Sequence, residues 1–595
     1  MRRLLAFAAA LLTAGMALAA PPQKVFRYSF PAAETGFDPA RINDIYSRTV
    51  TAHIFDGLYQ FDPLRRPFLV RPNVADGMPQ HSDDYRTWTV RLRPGIYFDD
   101  DPAFKGRKRE LVAQDIVYSY KRIFDPENKS PVYSGLAEEG MLGLEALREQ
   151  ALKSGRFDYD REVEGLRALD RYTVQFRLAE PRPRFIYTLA AGDLFGAVAR
   201  EVIEAYPGKS MEHPVGTGPF RLAQWRRSSL IVLERNPNFR ELSYDAQPAA
   251  DDAEGQAVVA RFKGRRLPMI DRVEISIIEV QQPRWLAFLN EQFDLLAVPS
   301  EFVNLAAPNG KLAPNLAKRG VEAHRVLNPD RTLFYFNMED PLVGGFAPEK
   351  VALRRAISLA TQTEREIVTV WRGQAVPAQS VVAPGTWGYD PSYKSENSDY
   401  DLPRAKALLD LYGYVDRDGD GWRERPDGSP LQIEYATQPD DLSRQFDELW
   451  KRNLDRIGVR LKVLKGQWPE QLKMARAGQL MIWQLGYSAG SPDVQDALQI
   501  LYGPAAGGQN LARFHNARFD EIYVRMQSLP DGPERLALLR EAQKIITALA
   551  PHKYNVHRIV NDLTQPWLTG FRRPLYGNRF WQYIDIDAAR QPRQR

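Results

Sequence analysis

From Val351 to Leu485 the apolar residues switch repeatedly between a spacing of three or four and a spacing of two, and few folds accept that pattern. Leu353, Ile357, Ala360, Ile367, Val368 and Trp371 fall on one stripe, which predicts a helix over 351–371. Asp401 stands as an N-cap with Pro403 in the first turn, ahead of Ala405, Leu408, Leu409 and Tyr412 on one face. Leu442, Phe446, Leu449, Trp450 and Ile457 stripe a third helix, closed by Gly458. Val459, Leu461 and Val463 then alternate as a strand. A shorter helix around 472–475 ends at Gly478, and Leu480–Leu485 follows as a buried strand. Helices and strands taking turns predict an α/β lobe with covered sheets.

The first half uses the same grammar more loosely. Trp88, Val90 and Leu92 alternate with Thr89, Arg91 and Arg93 before Pro94-Gly95 stops them, which is a half-buried strand. Val273–Val280 reads as a more buried strand, followed by a helix carrying Trp285, Phe288 and Leu289 and by a strand over 293–298. Together these predict a β-α-β unit. Three charged or polar stretches, 99–110, 138–170 and 244–266, read as solvated surface elaborations. No short-period repeat is visible, which excludes a solenoid.

At 595 residues the chain is long enough for several lobes, each with its own core. Its 80 Lys+Arg against 75 Asp+Glu give a formal charge of +5, too small an excess for a dedicated nucleic-acid binder. The absence of cysteine removes disulfides, thiolate metal sites and cysteine nucleophiles. At the N-terminus, Arg2-Arg3, the apolar run Leu4–Leu18 and Ala17-Leu18-Ala19 have the layout of a secretory signal, residues 1–19, cleaved near Ala19. No cysteine follows it to carry a lipid. Removing the signal takes the charge to +3, and the mature chain is expected in a bacterial periplasm or outside the cell.

Several motifs invite a chemistry that their details refuse. Asp416, Asp418 and Asp420, with Asp427 at the twelfth place, approach a calcium loop, but Asp replaces the bidentate Glu and 431–435 alternates like a strand. A charged helix-to-strand turn is the expectation. Gly208-Lys209-Ser210 lacks the first glycine of a phosphate loop, where Ile203 stands. His552 and His557 are five apart, off any shared face, so no zinc site is expected. No H-E-x-x-H or G-x-S-x-G occurs, and no nucleophile–base set supports the alternative of a secreted α/β hydrolase.

Two segments carry a resemblance. Trp88–Arg122 (WTVRLRPGIYFDD … ELVAQDIVYSYKR) and His213–Phe239 (HPVGTGPFRLAQWRRSSLIVLERNPNF) resemble the signature blocks of family 5 extracytoplasmic solute-binding proteins, the oligopeptide- and dipeptide-binding class of ABC importers. Phe37-Asp38-Pro39, Ile54–Tyr59, Thr332–Asn337, Trp387-Gly388-Tyr389, Tyr400–Tyr414 and Pro566–Phe571 match in the same order. In Gly216-Thr217-Gly218-Pro219 the glycines permit angles that a side chain forbids, so these motifs mark the scaffold rather than ligand contacts.

The resemblance implies a periplasmic-binding-protein-like α/β fold of two lobes joined by a hinge that closes on a solute. Lobe I would span 20–331, with an inserted subdomain at about 60–190, and regain the chain at 559–595. Lobe II would span 332–558, with crossings near 328–334 and 557–563. It further implies capture of a peptide, or of another solute such as a metal chelate, haem, opine or glycoconjugate, without chemistry or cofactor. Delivery to a permease and ATPase would follow, with the protein monomeric. A chaperone-like or sensory binding protein is the remaining alternative.

For the site, the family's acidic anchor for a peptide amino terminus follows a G-W motif. Ungapped, Tyr487 takes the Trp position, Ser488 follows, and Gly490 takes the Asp position, so the anchor is missing unless Asp493 replaces it. Trp387 and Tyr389 match a segment that lines the family's cleft, with core packing as the alternative. Glu34, Thr35 and Gly36 precede the Phe37-Asp38-Pro39 turn, either as first-lobe contacts or as a plain loop.

Overall fold

A computed structural model describes residues 22–592, so the expected signal lies outside the described residues. One four-stranded sheet is ordered Val25–Phe30, Arg272–Ile277, Leu230–Arg235, Phe220–Arg226, with the first pair parallel. A second four-stranded sheet gathers Gln80–His81, Thr87–Arg91, Thr173–Arg177 and Leu166–Ala168 over its own core of Trp88, Val90, Val174 and Phe176. In Thr87–Arg91 the apolar residues alternate inward as the pattern requires.

A five-stranded mixed sheet holds the later part of the chain. Its order is Arg460–Lys465, Gln432–Thr437, Ile482–Ser488, Asp330–Phe336, His552–Tyr554. The parallel pair Gln432–Thr437 and Arg460–Lys465 is joined by the helix Asp441–Asp455, whose buried stripe is Phe446, Leu449, Trp450 and Leu454. Gly458, at φ +70°, ends that turn in the left-handed region. The helix Leu402–Leu411 starts as expected, the Asp401 side chain accepting from the Arg404 N–H at 2.9 Å.

Between these sheets the chain crosses twice, side by side. Glu322–Leu327 continues through Asn328-Pro329 into Asp330–Phe336, while His552–Tyr554 continues through Asn555 into Val556–Thr564. Val556–Thr564 leaves the five-stranded sheet and pairs antiparallel with Leu295–Ala297 and Glu322–Leu327. Asp330, 1% exposed, fastens the crossings: its carboxylate accepts from the Arg558 N–H at 2.9 Å and from Arg558 Nε at 2.7 Å. His557 Nδ1 meets the Asp330 carbonyl at 2.6 Å.

The recognition motifs brace the first sheet. The Thr217 hydroxyl and Arg240 bond Asp56 Oδ2 at 2.8 and 2.7 Å, and Arg579 bonds Asp56 Oδ1 at 2.5 Å. Burial opposes ionisation of Asp56, but the two guanidiniums outweigh it and hold its carboxyl well below the usual range. Gly216 has no alternative, since a Cβ there would lie 2.0 Å from the Ile54 carbonyl oxygen.

Three expectations are corrected. Leu295–Ala297 does not share a sheet with Arg272–Ile277, so the β-α-β unit is a passage between two sheets. The helix over 351–371 is two, Pro348–Ala360 and Thr363–Thr369, because Thr361 takes an extended conformation (ψ 114°). None of the three charged or polar stretches is merely solvated: Tyr244 and Phe262 are buried with Leu64, Leu267, Met269 and Tyr583 in a small core of their own, while Phe104 of 99–110 and Leu144, Leu147 and Ala151 of 138–170 join the core under the second sheet.

Candidate functional site

Antiparallel pairing sets Arg331 opposite Tyr487 and Thr332 opposite Gly486. Neighbouring residues of a strand face opposite sides, so Arg331 and Tyr487 share one face; the guanidinium carbon lies 5.6 Å from the Tyr487 ring centroid. On that face lies a cavity of about 180 Å³, lined chiefly by Arg331, Tyr487, Ser488, Asp493, Asp496 and Gln499. On the other side of the strand a hollow of about 160 Å³ is walled by Thr332, Trp371, Tyr435, Phe446, Gly486 and Arg558.

Two residues that line the first cavity, Asp493 and Gln499, are met from outside it by side chains of the first third of the chain. Arg184, next to the helix Phe185–Leu189, reaches over to place Nε 3.2 Å from Asp493 Oδ2. It also donates to the carbonyls of Met526, Gln527 and Leu529, each at 2.7 Å. Those carbonyls end the helix Ala517–Ser528, where a cation is favoured by the helix dipole. Glu138 meets Gln499 Nε2 at 3.0 and 3.1 Å from the same side as Arg184.

Asp493 and Asp496 have different surroundings. Asp493, 5% exposed, is held by Arg535 Nη2 at 2.8 Å as well as by Arg184, and Arg535 is fully buried. Its charge is already matched. Asp496 has no cation within 4.0 Å among the described residues; its one side-chain partner is Ser491 Oγ at 3.4 Å. It is exposed and lines the cavity. Desolvation, with the neighbouring Asp493 charge, pushes its pKa up to about 6. Asp496 Oδ2 lies 3.7 Å from where a Cβ on Gly490 would stand, in van der Waals reach of that position.

The other expected residues are placed as follows. Tyr487 and Ser488 line the cavity with Asp493. Trp387 does not; its ring lies against the Arg535 guanidinium, 4.4 Å from ring centroid to Arg535 Cζ, and its backbone N–H donates to the Pro492 carbonyl at 2.8 Å. It thereby backs the Asp493–Arg535 pair. Tyr389 packs edge-on to His557, centroids 6.0 Å apart, against the core of the five-stranded sheet. Thr35 is tied to its own loop by Asp44 Oδ2 at 2.6 Å and by Ser47, and Gly36 packs against Met211. Neither lines this cavity. The Trp225 indole donates to Glu34 Oε1 at 2.5 Å.

Sequence reasoning missed Arg331, Arg184 and Glu138. The first is a charged residue beside a buried apolar run, and the other two arrive from more than 300 residues away. In the calcium-like loop Asp416, Asp418 and Asp420 cluster on the surface. Asp416 caps the N–H groups of Gly419 and Gly421, Asp420 pairs with Arg460 at 2.5 Å, and Asp427 instead caps Ser429. Among the described residues no helix is long and apolar enough to cross a membrane.

Comparison with known proteins places this geometry. The di/tripeptide-binding protein 2 of Pseudomonas aeruginosa is 26% identical over 593 residues, covering 98% of each chain. The dipeptide-binding protein of Escherichia coli is 24% identical over 529 residues, 87% of this chain and 86% of that one. The periplasmic binding protein DppA of Helicobacter pylori, solved with the peptide STSA, superposes with a TM-score of 0.69 over 95% of this chain and 98% of that one, at 22% identity. The model of the bacterial extracellular solute-binding proteins, family 5, matches residues 70–509. A two-lobed α/β scaffold with a match of that extent leaves one conclusion: the chain belongs to the family 5 bacterial extracellular solute-binding proteins.

Proposed function

We propose that this protein is the periplasmic solute-binding component of an ABC importer and takes a short peptide into the cavity beside Tyr487. The reading rests above all on Asp496, whose carboxylate has no cation partner among the described residues, lines the cavity and lies beside Gly490. A carboxylate that faces a cavity without a cation partner is a ready acceptor for an ammonium group. Asp496 anchors the peptide amino terminus, Tyr487 and Ser488 flank it, and Asp493 positions the wall through Arg535 and Arg184.

Lobe I, 20–331 with its subdomain at about 60–190 and its return at 559–595, closes against lobe II, 332–558. The division is supported by Val556–Thr564, which pairs with first-lobe strands immediately after His552–Tyr554 has paired in the second. Contacts from both lobes exist only when they are closed, so a bound solute shifts the population toward that form. The monomer carries its cargo unaltered to a membrane permease and its ATPase, after export and loss of residues 1–19. Native mass spectrometry of protein purified undenatured from periplasm tests the reading. A heterogeneous envelope of peptide masses is expected; a single sharp non-peptide adduct would overturn it.

A further inference from the structure

The strand Ile482–Ser488 has one edge without a partner strand along its second half. Asp330–Phe336 accompanies it as far as Ser488, but Gln432–Thr437 pairs with it only at Ile482 and Trp483. Along that open edge Gln484, Leu485 and Gly486 border the hollow of about 160 Å³, and Tyr487, Ser488 and Ala489 border the first cavity. The hollow therefore adjoins the proposed binding site on the next residue of the same strand. An extended guest lying there sends neighbouring side chains to opposite faces.

The walls of the hollow are aromatic, and each ring is backed by another. Trp371 and Phe446 meet edge to face at 5.8 Å, Tyr435 stacks on Trp450 at 4.5 Å, and Trp483 packs against Trp468 at 4.8 Å. The polar side chains among them are spent inside the protein. Gln484 Oε1 accepts from the Tyr435 hydroxyl at 3.4 Å and from Trp450 Nε1 at 3.3 Å. Asp440 caps its helix at the Ser443 N–H, 2.8 Å away, Thr332 Oγ1 accepts from the Val556 N–H at 3.2 Å, and Arg558 gives Nε to Asp330. Walls satisfied in this way favour an apolar guest over a polar one. Their volume is close to the roughly 150 Å³ of an apolar cavity that takes a benzene-sized guest.

We propose that this aromatic hollow is a specificity pocket that takes one side chain of the bound peptide, and takes phenylalanine or leucine in preference to glycine or a charged residue. The inference rests on the peptide reading above and deepens it. A glycine at that position leaves the rings facing water. A lysine meets the Arg558 guanidinium while Asp440 is already committed to its helix.

The test titrates the full mature chain calorimetrically with a free-terminus tripeptide library in which Phe, Leu, Gly, Lys or Glu replaces one alanine of Ala-Ala-Ala, each position in turn. Burial of a phenyl group predicts that at one position Phe binds roughly 10- to 100-fold more tightly than Gly, with Lys and Glu no better than Gly. Leu442 stands at the rim, 41% exposed, in the first turn of Asp441–Asp455. Leu442→Asp therefore changes the wall at an exposed site and is expected to move the preference at that same position toward Lys. Equal affinity for Phe and Gly at every position, a preference for Glu, or a Phe preference unaltered in Leu442→Asp would overturn the role of the hollow and leave the peptide reading standing. Failure of every tripeptide to bind would overturn both.

Discussion

Arg184 Nε lies 3.2 Å from Asp493 Oδ2, joining the subdomain of the first lobe to the loop after the strand Ile482–Ser488. With its three bonds to the carbonyls of Met526, Gln527 and Leu529, Arg184 ties the segment before Phe185–Leu189 to the end of Ala517–Ser528, across the proposed cleft. Arg184→Ala is therefore expected to enlarge the ligand-free protein in small-angle scattering and to weaken peptide binding by about tenfold, as loss of one charged hydrogen-bonded group predicts. An unchanged scattering profile would show that this tie does not hold the lobes.

Peptide affinity is expected to depend on pH through Asp496. With its pKa near 6, Asp496 is mostly ionised at pH 7.5 and mostly neutral at pH 5, where an ammonium group loses its partner. Each pH step below the pKa costs about tenfold in ionised fraction, so the dissociation constant should rise roughly tenfold by pH 5. Asp496→Asn should bind weakly at both pH values, with the slope abolished. A slope unchanged in Asp496→Asn would assign it to another group.

Glu366 makes a separate prediction about stability. It is 4% exposed, accepts from Trp371 Nε1 and Asn555 Nδ2 at 2.9 Å each, and burial pushes its pKa up to about 7. A carboxyl raised in the folded state contributes stability that is fully present below its unfolded value near 4.3 and is lost as pH rises through 7. Glu366→Gln, with the Asn555 amide turned to present its unpartnered Oδ1, should raise the melting temperature at pH 8 relative to the unaltered protein. At pH 5 the two should differ little. Thermal denaturation at the two pH values checks this.

Asp330→Ala removes the acceptor shared by the Arg558 N–H, Arg558 Nε and Asn328 Nδ2. Leaving those donors unmatched should cost about 2 kcal/mol or more in chemical denaturation. Amides of Val556–Thr564 should exchange hydrogen faster than those of Thr87–Arg91. Equal protection in the two strands would remove Asp330 from the hinge.

Much of the second lobe is legible in the sequence because its helices are one-sided and capped. Asp401 with Pro403, and the stripe closed by Gly458, mark helix ends through local chemistry alone. Sheet membership is not local: Leu295–Ala297 has the same pattern whether it joins Arg272–Ile277 or Val556–Thr564. The periodicity through Thr361-Gln362 likewise conceals a break that costs only one residue's backbone angles. At the site, the missing acid at Gly490 is visible from the motif. The nearness of Asp496 to Gly490 depends on the turn through Ser491 and Pro492, and the lack of an ion pair at Arg331 on Asp330 choosing Arg558. Those choices are made by the folded chain.

The account turns on closure of two lobes over a solute, and a cysteine-free chain makes that directly measurable. Spin labels on Arg167→Cys and Arg540→Cys, both exposed and on opposite sides of the proposed lobe division, report the interlobe distance by pulsed electron resonance. Addition of the free-terminus tripeptide library should collapse a broad distribution to one short distance. A distribution unchanged at saturating peptide would contradict capture by closure.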